Sequence, residues 1–88
     1  MLFMIIFNYE PQNRDEIVKR RMEKGSLIPE GVKTIGEWTG IGSGRVFRVA
    51  EATDPAEMMK GVMAWGDLGK VEVIPVMDSE SIMKMWES

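Results

Sequence analysis

Residues 2–9 form a stretch rich in Phe and Ile, apolar except for Asn8 and closed by Glu10-Pro11. Proline holds the residue before it in extended geometry, so the run predicts a buried strand that stops there. Asn13, Arg14, Asp15 and Glu16 then have the form of a capping box. In such a box Asn13 accepts from a first-turn amide and Glu16 reaches back to the cap. The predicted helix carries a narrow stripe of Ile17, Val18, Arg21 and Met22. Asp15 and Glu16 suit its positive N-terminus, and Lys19, Arg20 and Lys24 suit its negative end. Gly25 is its expected stop.

Residues 26–31 contain Pro29 and Gly31 and read as a loop. Residues 32–39 alternate and hold the strand formers Val, Thr, Ile and Trp, which predicts a second strand. The glycine-rich stretch 40–44 has hairpin-loop length and leads into a third strand at 45–51. Pairing residues so that their numbers sum to 85 sets Trp38 opposite Phe47 and Glu37 opposite Arg48. One face then holds an aromatic pair and the other an opposite-charge pair. A shift by one residue loses both. The aromatic pair is expected to face the helices, because a charged pair is less costly toward a partner or solvent.

Asp54-Pro55-Ala56-Glu57 is the clearest helix start in the chain, with an acidic N-cap, proline at the first helical position and glutamate at the third. Met59, Val62, Met63 and Gly66 recur at helical spacing, with Met58 and Trp65 widening the stripe. Residues 71–77 predict a fourth strand, and Pro75, which cannot donate to a ladder, suits an edge or a strand end. Asp78 or Ser79 is expected to cap a short final helix bearing Ile82, Met83, Met85 and Trp86. The order β-α-β-β-α-β plus a C-terminal helix is the ferredoxin-like plan. It is an α+β fold with a four-stranded antiparallel sheet, β1 and β3 in the middle and the helices on one face.

A sheet covered on one face should alternate between apolar and polar residues. The first strand does not, since Leu2, Met4 and Ile6 point one way and Phe3, Ile5 and Phe7 the other. Val71, Val73 and Pro75 likewise oppose Ile74 and Val76. Leaving several such side chains on water, at about 1.5–3 kcal/mol each, would consume much of a small domain's stability. A homodimer stacked through the open face is the simplest answer.

Composition sharpens this expectation. The 88 residues have room for a single domain spanning 1–88. Cores of this size often need a disulfide, a metal or a second subunit. With neither cysteine nor histidine, the chain lacks disulfides, thiolate nucleophiles, the common zinc ligands and the usual neutral-pH base, so no metal or cofactor is expected. The net charge of −3 and a pI near 4.9 argue against nucleic acid and anionic membranes as partners. The opening apolar run is too short for a membrane span and lacks the basic flank of a signal peptide, which makes a cytoplasmic protein the default.

Few residues offer chemistry. Trp38, Phe47 and Trp65 could line a pocket between sheet and helices, with the Tyr9 hydroxyl at its mouth, although ordinary core packing also accounts for the aromatics. Such a pocket would take an apolar small molecule with one or two polar atoms. Glu37 and Arg48 form either an ion pair or part of a dimer face, and Arg48 could alternatively bind a carboxylate or phosphate. Tyr9 and Glu51 are the candidate acid–base groups near strand ends. The nine methionines suit core gap-filling more than metal binding. Gly40, Gly42 and Gly44 join two strands instead of opening a helix, which does not suit a phosphate loop. Arg45-Val46-Phe47-Arg48-Val49 faintly echoes an RNA-binding third strand, against which the acidic pI weighs.

Pro29-Glu30-Gly31, Trp38, Phe47, Glu51, Asp54-Pro55, the 65–68 run Trp-Gly-Asp-Leu and Ile74-Pro75-Val76 together resemble a family of short bacterial and archaeal proteins. It is known as the domain of unknown function thirty-three-oh-three. The resemblance implies a dimeric α+β barrel, in which two ferredoxin-like sheets face each other, and it assigns no catalytic residue. Three functions are therefore carried forward. The first is a homodimer binding a small apolar molecule. The second is a cofactor-independent monooxygenase or isomerase, by fold analogy alone, and the third is a regulatory or interaction module.

Overall fold

The computed structural model describes residues 1–87. Its four strands are β1 (Leu2–Asn8), β2 (Lys33–Thr39), β3 (Arg45–Glu51) and β4 (Lys70–Val76), and its helices are α1 (Arg14–Lys24), α2 (Pro55–Trp65) and α3 (Ser79–Glu87). A single 3-10 turn over Pro11–Asn13 leads into α1. The chain is thus α+β, with one antiparallel sheet in the order β2-β3-β1-β4. Proline is tolerated at Pro75 because β4 is an edge strand with no neighbour on its outer side.

Register fixes which side chains share a face. β1 pairs with β3 so that Phe3 meets Ala50, Ile5 meets Arg48 and Phe7 meets Val46. On its other side β1 pairs with β4, where Phe3 meets Pro75, Ile5 meets Val73 and Phe7 meets Val71. All of these residues underlie α1 and α2. The opposite, open face carries Leu2, Met4 and Ile6 of β1 with Phe47, Val49, Ile74 and Val76 of its neighbours. The β2–β3 hairpin has the expected register, Glu37 opposite Arg48 and Trp38 opposite Phe47, with a bulge between Thr34 and Gly36.

The faces of that hairpin, however, are the reverse of the expected ones. Trp38 and Phe47 lie on the open face, Trp38 at 60% exposure, while Glu37 and Arg48 lie beneath the helices. The reason is the phase of β3. Its small residue, Ala50, is completely buried under the α2 side, and side chains two apart share a face, which carries Arg48 and Val46 to the same side. The charged pair is accepted there because α1 supplies a third charge, as described below.

Helix faces are also rotated from the expected stripes. In α2, Met58 is buried and Val62 and Trp65 turn inward, whereas Met59 and Met63 are exposed. In α1, Ile17 and Arg21 face the sheet and Val18 and Met22 face solvent. The Asn13 box does not form. Asn13 has helical backbone angles and makes no side-chain cap, because the preceding 3-10 turn already engages the local backbone, with the Arg14 amide donating to the Pro11 carbonyl. The Asn13 side-chain nitrogen Nδ2 donates instead to the Leu68 carbonyl at 3.0 Å, tying the start of α1 to the turn that follows α2.

Gly25 ends α1 at φ 74°, its amide donating to the Arg21 carbonyl. Gly69 is required for space. A Cβ there would lie 2.3 Å from the Asn8 carbonyl oxygen and 2.7 Å from the Phe7 ring. α3 is capped by Asp78, whose carboxylate accepts from the Ser81 amide at 3.0 Å and the Ser81 hydroxyl at 2.7 Å. Its backbone approaches no other helix or strand, and Ile82, Met83, Met85 and Trp86 are exposed, Trp86 at 85%.

The start of α2 yields a test. Asp54 Oδ1 accepts from the Ala56 amide at 2.9 Å and Pro55 occupies the first turn. Asp54→Ala is expected to cost about 0.5–2 kcal/mol, measured as a fall in urea midpoint at unchanged m-value. Asp54→Asn should recover most of it, since an amide oxygen caps as well.

Candidate functional site

Buried apolar residues are few: Phe3, Phe7, Ala50, Ala52, Met58 and Leu68, and none of the larger ones is completely enclosed. The space between the sheet and the two helices is correspondingly hollow. A cavity of about 90 Å³ remains there, room for several water-sized groups. Its floor is Ile5 and Phe7 of β1, Val46 and Arg48 of β3, and Val71 and Val73 of β4. Met58, Val62 and Trp65 of α2 roof it, Ile17 and Arg21 close the α1 side, and Leu27, Pro29 and Val32 close the loop side.

The walls are set by a few polar ties. Arg20 of α1 donates through Nη1 to the Ala64 carbonyl at 2.9 Å and forms a two-pronged pair with Asp67, at 2.8 and 2.7 Å. Its guanidinium also lies 5.6 Å from the centre of the Trp65 ring. The hydrogen bond to Arg20 holds the Asp67 carboxyl below its ordinary range. Trp65 Nε1 donates to the Ser26 carbonyl at 3.1 Å, fixing the loop that carries Leu27. Leu27 stands at φ 54°, a left-handed conformation that costs a leucine about 1–2 kcal/mol. That strain is spent on the cavity wall.

One charged cluster enters this apolar setting. Glu37 Oε2 accepts from Arg48 Nε at 2.8 Å and from Arg48 Nη2, and Glu37 Oε1 accepts from Arg21 Nη1. A single carboxylate from β2 thus joins β3 and α1. The Glu37 and Arg48 side chains are mostly covered, at 19% and 18% exposure, and Arg21 is half exposed. Burial pushes the Glu37 carboxyl up, but the hydrogen bonds from Arg21 and Arg48 outweigh it and hold the group below its ordinary value of 4.5.

The residues singled out from sequence are therefore divided. Trp65 lines the cavity. Tyr9 stands outside the wall, its ring 5.8 Å from that of Phe7, which is in turn 6.2 Å from Trp65. Trp38 and Phe47 are on the other side of the sheet, where Arg45 lies 5.0 Å over the Phe47 ring. Glu37 and Arg48 form the expected ion pair, but at the cavity and not on the open face. Hence the lining does hold fixed charge, contrary to the expectation of an apolar pocket with few donors. Arg21 was legible as an arginine within an otherwise apolar helical stripe. Leu27 left no signal, since nothing local marks a leucine for positive φ. Among the described residues, no group of three or more acidic side chains could hold a metal ion, and no helix is long and apolar enough to cross a membrane.

The Glu37 cluster predicts an acid dependence. Because the folded value lies below the unfolded one, the ionised carboxylate contributes stability that is complete above about pH 4.5 and lost as pH falls through the folded value. Glu37→Gln is expected to cost about 1.5–3 kcal/mol at pH 7. The gap from the parent should shrink steadily in thermal melts taken toward pH 3. A gap constant with pH would show that Glu37 stabilises through packing alone.

A search of curated proteins finds no match to the chain. A family profile, in contrast, matches residues 1–88, so that sheet, both covering helices, cavity and terminal helix all fall within the matched span. The chain belongs to the family described as Domain of unknown function (DUF3303).

Proposed function

We propose that this chain is a small-molecule-binding protein of ferredoxin-like plan that acts as a homodimer. The observation that carries the binding reading is the hollow between sheet and helices, lined mainly by apolar side chains, partly open to solvent and bordered by two arginines. Sites for small ligands are concave, mainly apolar and furnished with a few placed polar groups. A pure interaction module has no use for a cavity where its core should be. The ferredoxin-like reading is supported by the central position of β1 and β3 and by the two crossovers through α1 and α2.

Support for the dimer comes from the other face of the sheet. Val49, Met4 and Ile74 form one apolar row across three strands, and Trp38, Phe47 and Ile6 form the next. A patch of this kind on a small monomer marks an interface. Stacking a second copy on it gives a dimeric α+β barrel and leaves the cavity, on the helix side, untouched.

Two measurements separate these claims. Light scattering at micromolar concentration should return about 20 kDa, twice the 10.0 kDa of the chain, and Met4→Glu should lower the mass or unfold the protein. A stable 10.0 kDa parent removes the dimer. Hexanamide, an uncharged apolar probe, should shift the Gly61 and Val62 amide resonances in a saturable way. Val62→Trp, which fills the cavity, should abolish that response without lowering the melting temperature. Binding unaffected by Val62→Trp would place the probe elsewhere.

A further inference from the structure

We infer that the ligand of this cavity is a small apolar carboxylic acid, held as its carboxylate by Arg48 and Arg21. The inference rests on the binding reading above and narrows it to one chemical class.

Charge around the cluster does not balance. Arg21 and Arg48 bring two positive charges, and Glu37 brings one negative charge, with both of its oxygens already engaged. Glu57, the carboxylate on the cavity wall, is paired with Lys60 at 3.0 Å and so does not supply the missing charge. The remaining neighbours on the floor and the α1 side, Ile5, Ile17 and Val46, are apolar. Water reaches Arg21, which is half exposed, whereas Arg48 is mostly covered, so an anion that joins both replaces partial hydration of the excess charge.

Donors are also left over. A guanidinium offers five N–H groups in a planar fork. Arg48 spends Nε and Nη2 on a single oxygen of Glu37, and its Nη1 has no hydrogen-bond partner among the described residues. Arg21 uses only Nη1, which leaves Nε and Nη2. The two arginines converge on the same carboxylate from β3 and from α1, and both line the cavity. A second carboxylate placed there completes a two-to-two arrangement with Glu37, each oxygen accepting charge-assisted hydrogen bonds.

The class follows from charge and lining together. The deficit is one charge, which a carboxylate meets, whereas a doubly charged phosphate would leave an excess of the opposite sign. Beyond the arginines the lining is Phe7, Val62, Trp65, Val71 and Val73, which suits a short hydrocarbon. Arg21, half exposed, stands where the acid would enter.

The experiment compares hexanoate with hexanamide by titration at pH 7, followed through the Gly61 and Val62 resonances. Hexanoate is expected to bind about tenfold more tightly than its amide, the gain of a charge-assisted contact over a neutral one. Arg21→Gln, at a half-exposed position that keeps Arg48 paired, should reduce that ratio several-fold, the loss falling on hexanoate more than on hexanamide. Glu37→Gln, which removes the competing anion, should raise hexanoate affinity. Equal affinity of the two probes for the parent protein overturns the acid assignment and leaves the cavity reading standing. A ratio unmoved by Arg21→Gln, or hexanoate binding weakened by Glu37→Gln, overturns it too. If neither probe binds, the cavity reading itself fails, and the acid assignment with it.

Discussion

The antiparallel pairing of β1 with β3 is the constraint from which the rest of this structure follows. Side chains alternate along a strand, so setting Phe3 against Ala50 also sets Ile5 against Arg48 and Phe7 against Val46. A slip by one residue would exchange every side chain between the two faces. With this phase, Arg48 is carried under α1 and the hairpin brings Glu37 to it. The same phase sends Trp38 and Phe47 to the open side. Cavity chemistry and open-face character are thus two consequences of a single register.

The hollow under the helices has a physical origin in how those helices are held. α1 has no buried residue and makes its firmest connections through polar groups at its edges. Arg20 joins Ala64 and Asp67, Asn13 joins Leu68, and Arg21 joins Glu37. Such contacts fix position and orientation without requiring side chains to interdigitate over the sheet. Glycine at Gly61, which lines the cavity, removes volume from the roof as well. A scaffold tied at its rim and left open in its middle is the arrangement from which the binding reading is drawn.

On the opposite face the sheet carries large apolar residues, and α3 carries an exposed apolar stripe of its own. A chain of 88 residues buries only about two thirds of its unfolded surface, so the two-sided character of β1 costs stability for as long as that face meets water. The proposed dimer answers this cost on the face that the cavity does not use. The proposed binding and the proposed assembly thus fall on separate faces of one sheet, connected through the side chains of β1.

Local signals in the chain were sufficient for its elements. The Asp54-Pro55 start of α2, the Gly25 stop of α1, the edge position of Pro75 and the sum-of-85 hairpin register all rest on short-range stereochemistry, which sequence states directly. The membership of the ion pair was legible too, because opposite charges facing each other across a hairpin are a property of register alone. Which face the pair would occupy was not. That depends on the phase of β3 against β1 and on Arg21 arriving from α1 to share Glu37, a contact between three elements that no local pattern encodes. The helix stripes were misplaced for a related reason. Both neighbouring faces of α1 and α2 are partly apolar, and long-range ties such as those of Arg20 to Ala64 and Asp67 and of Asn13 to Leu68 set which of them meets the sheet. Sequence determined the elements and their pairing, whereas tertiary contacts decided which charges were enclosed, because the cost of enclosing a charge is set by the partners that reach it from distant parts of the chain.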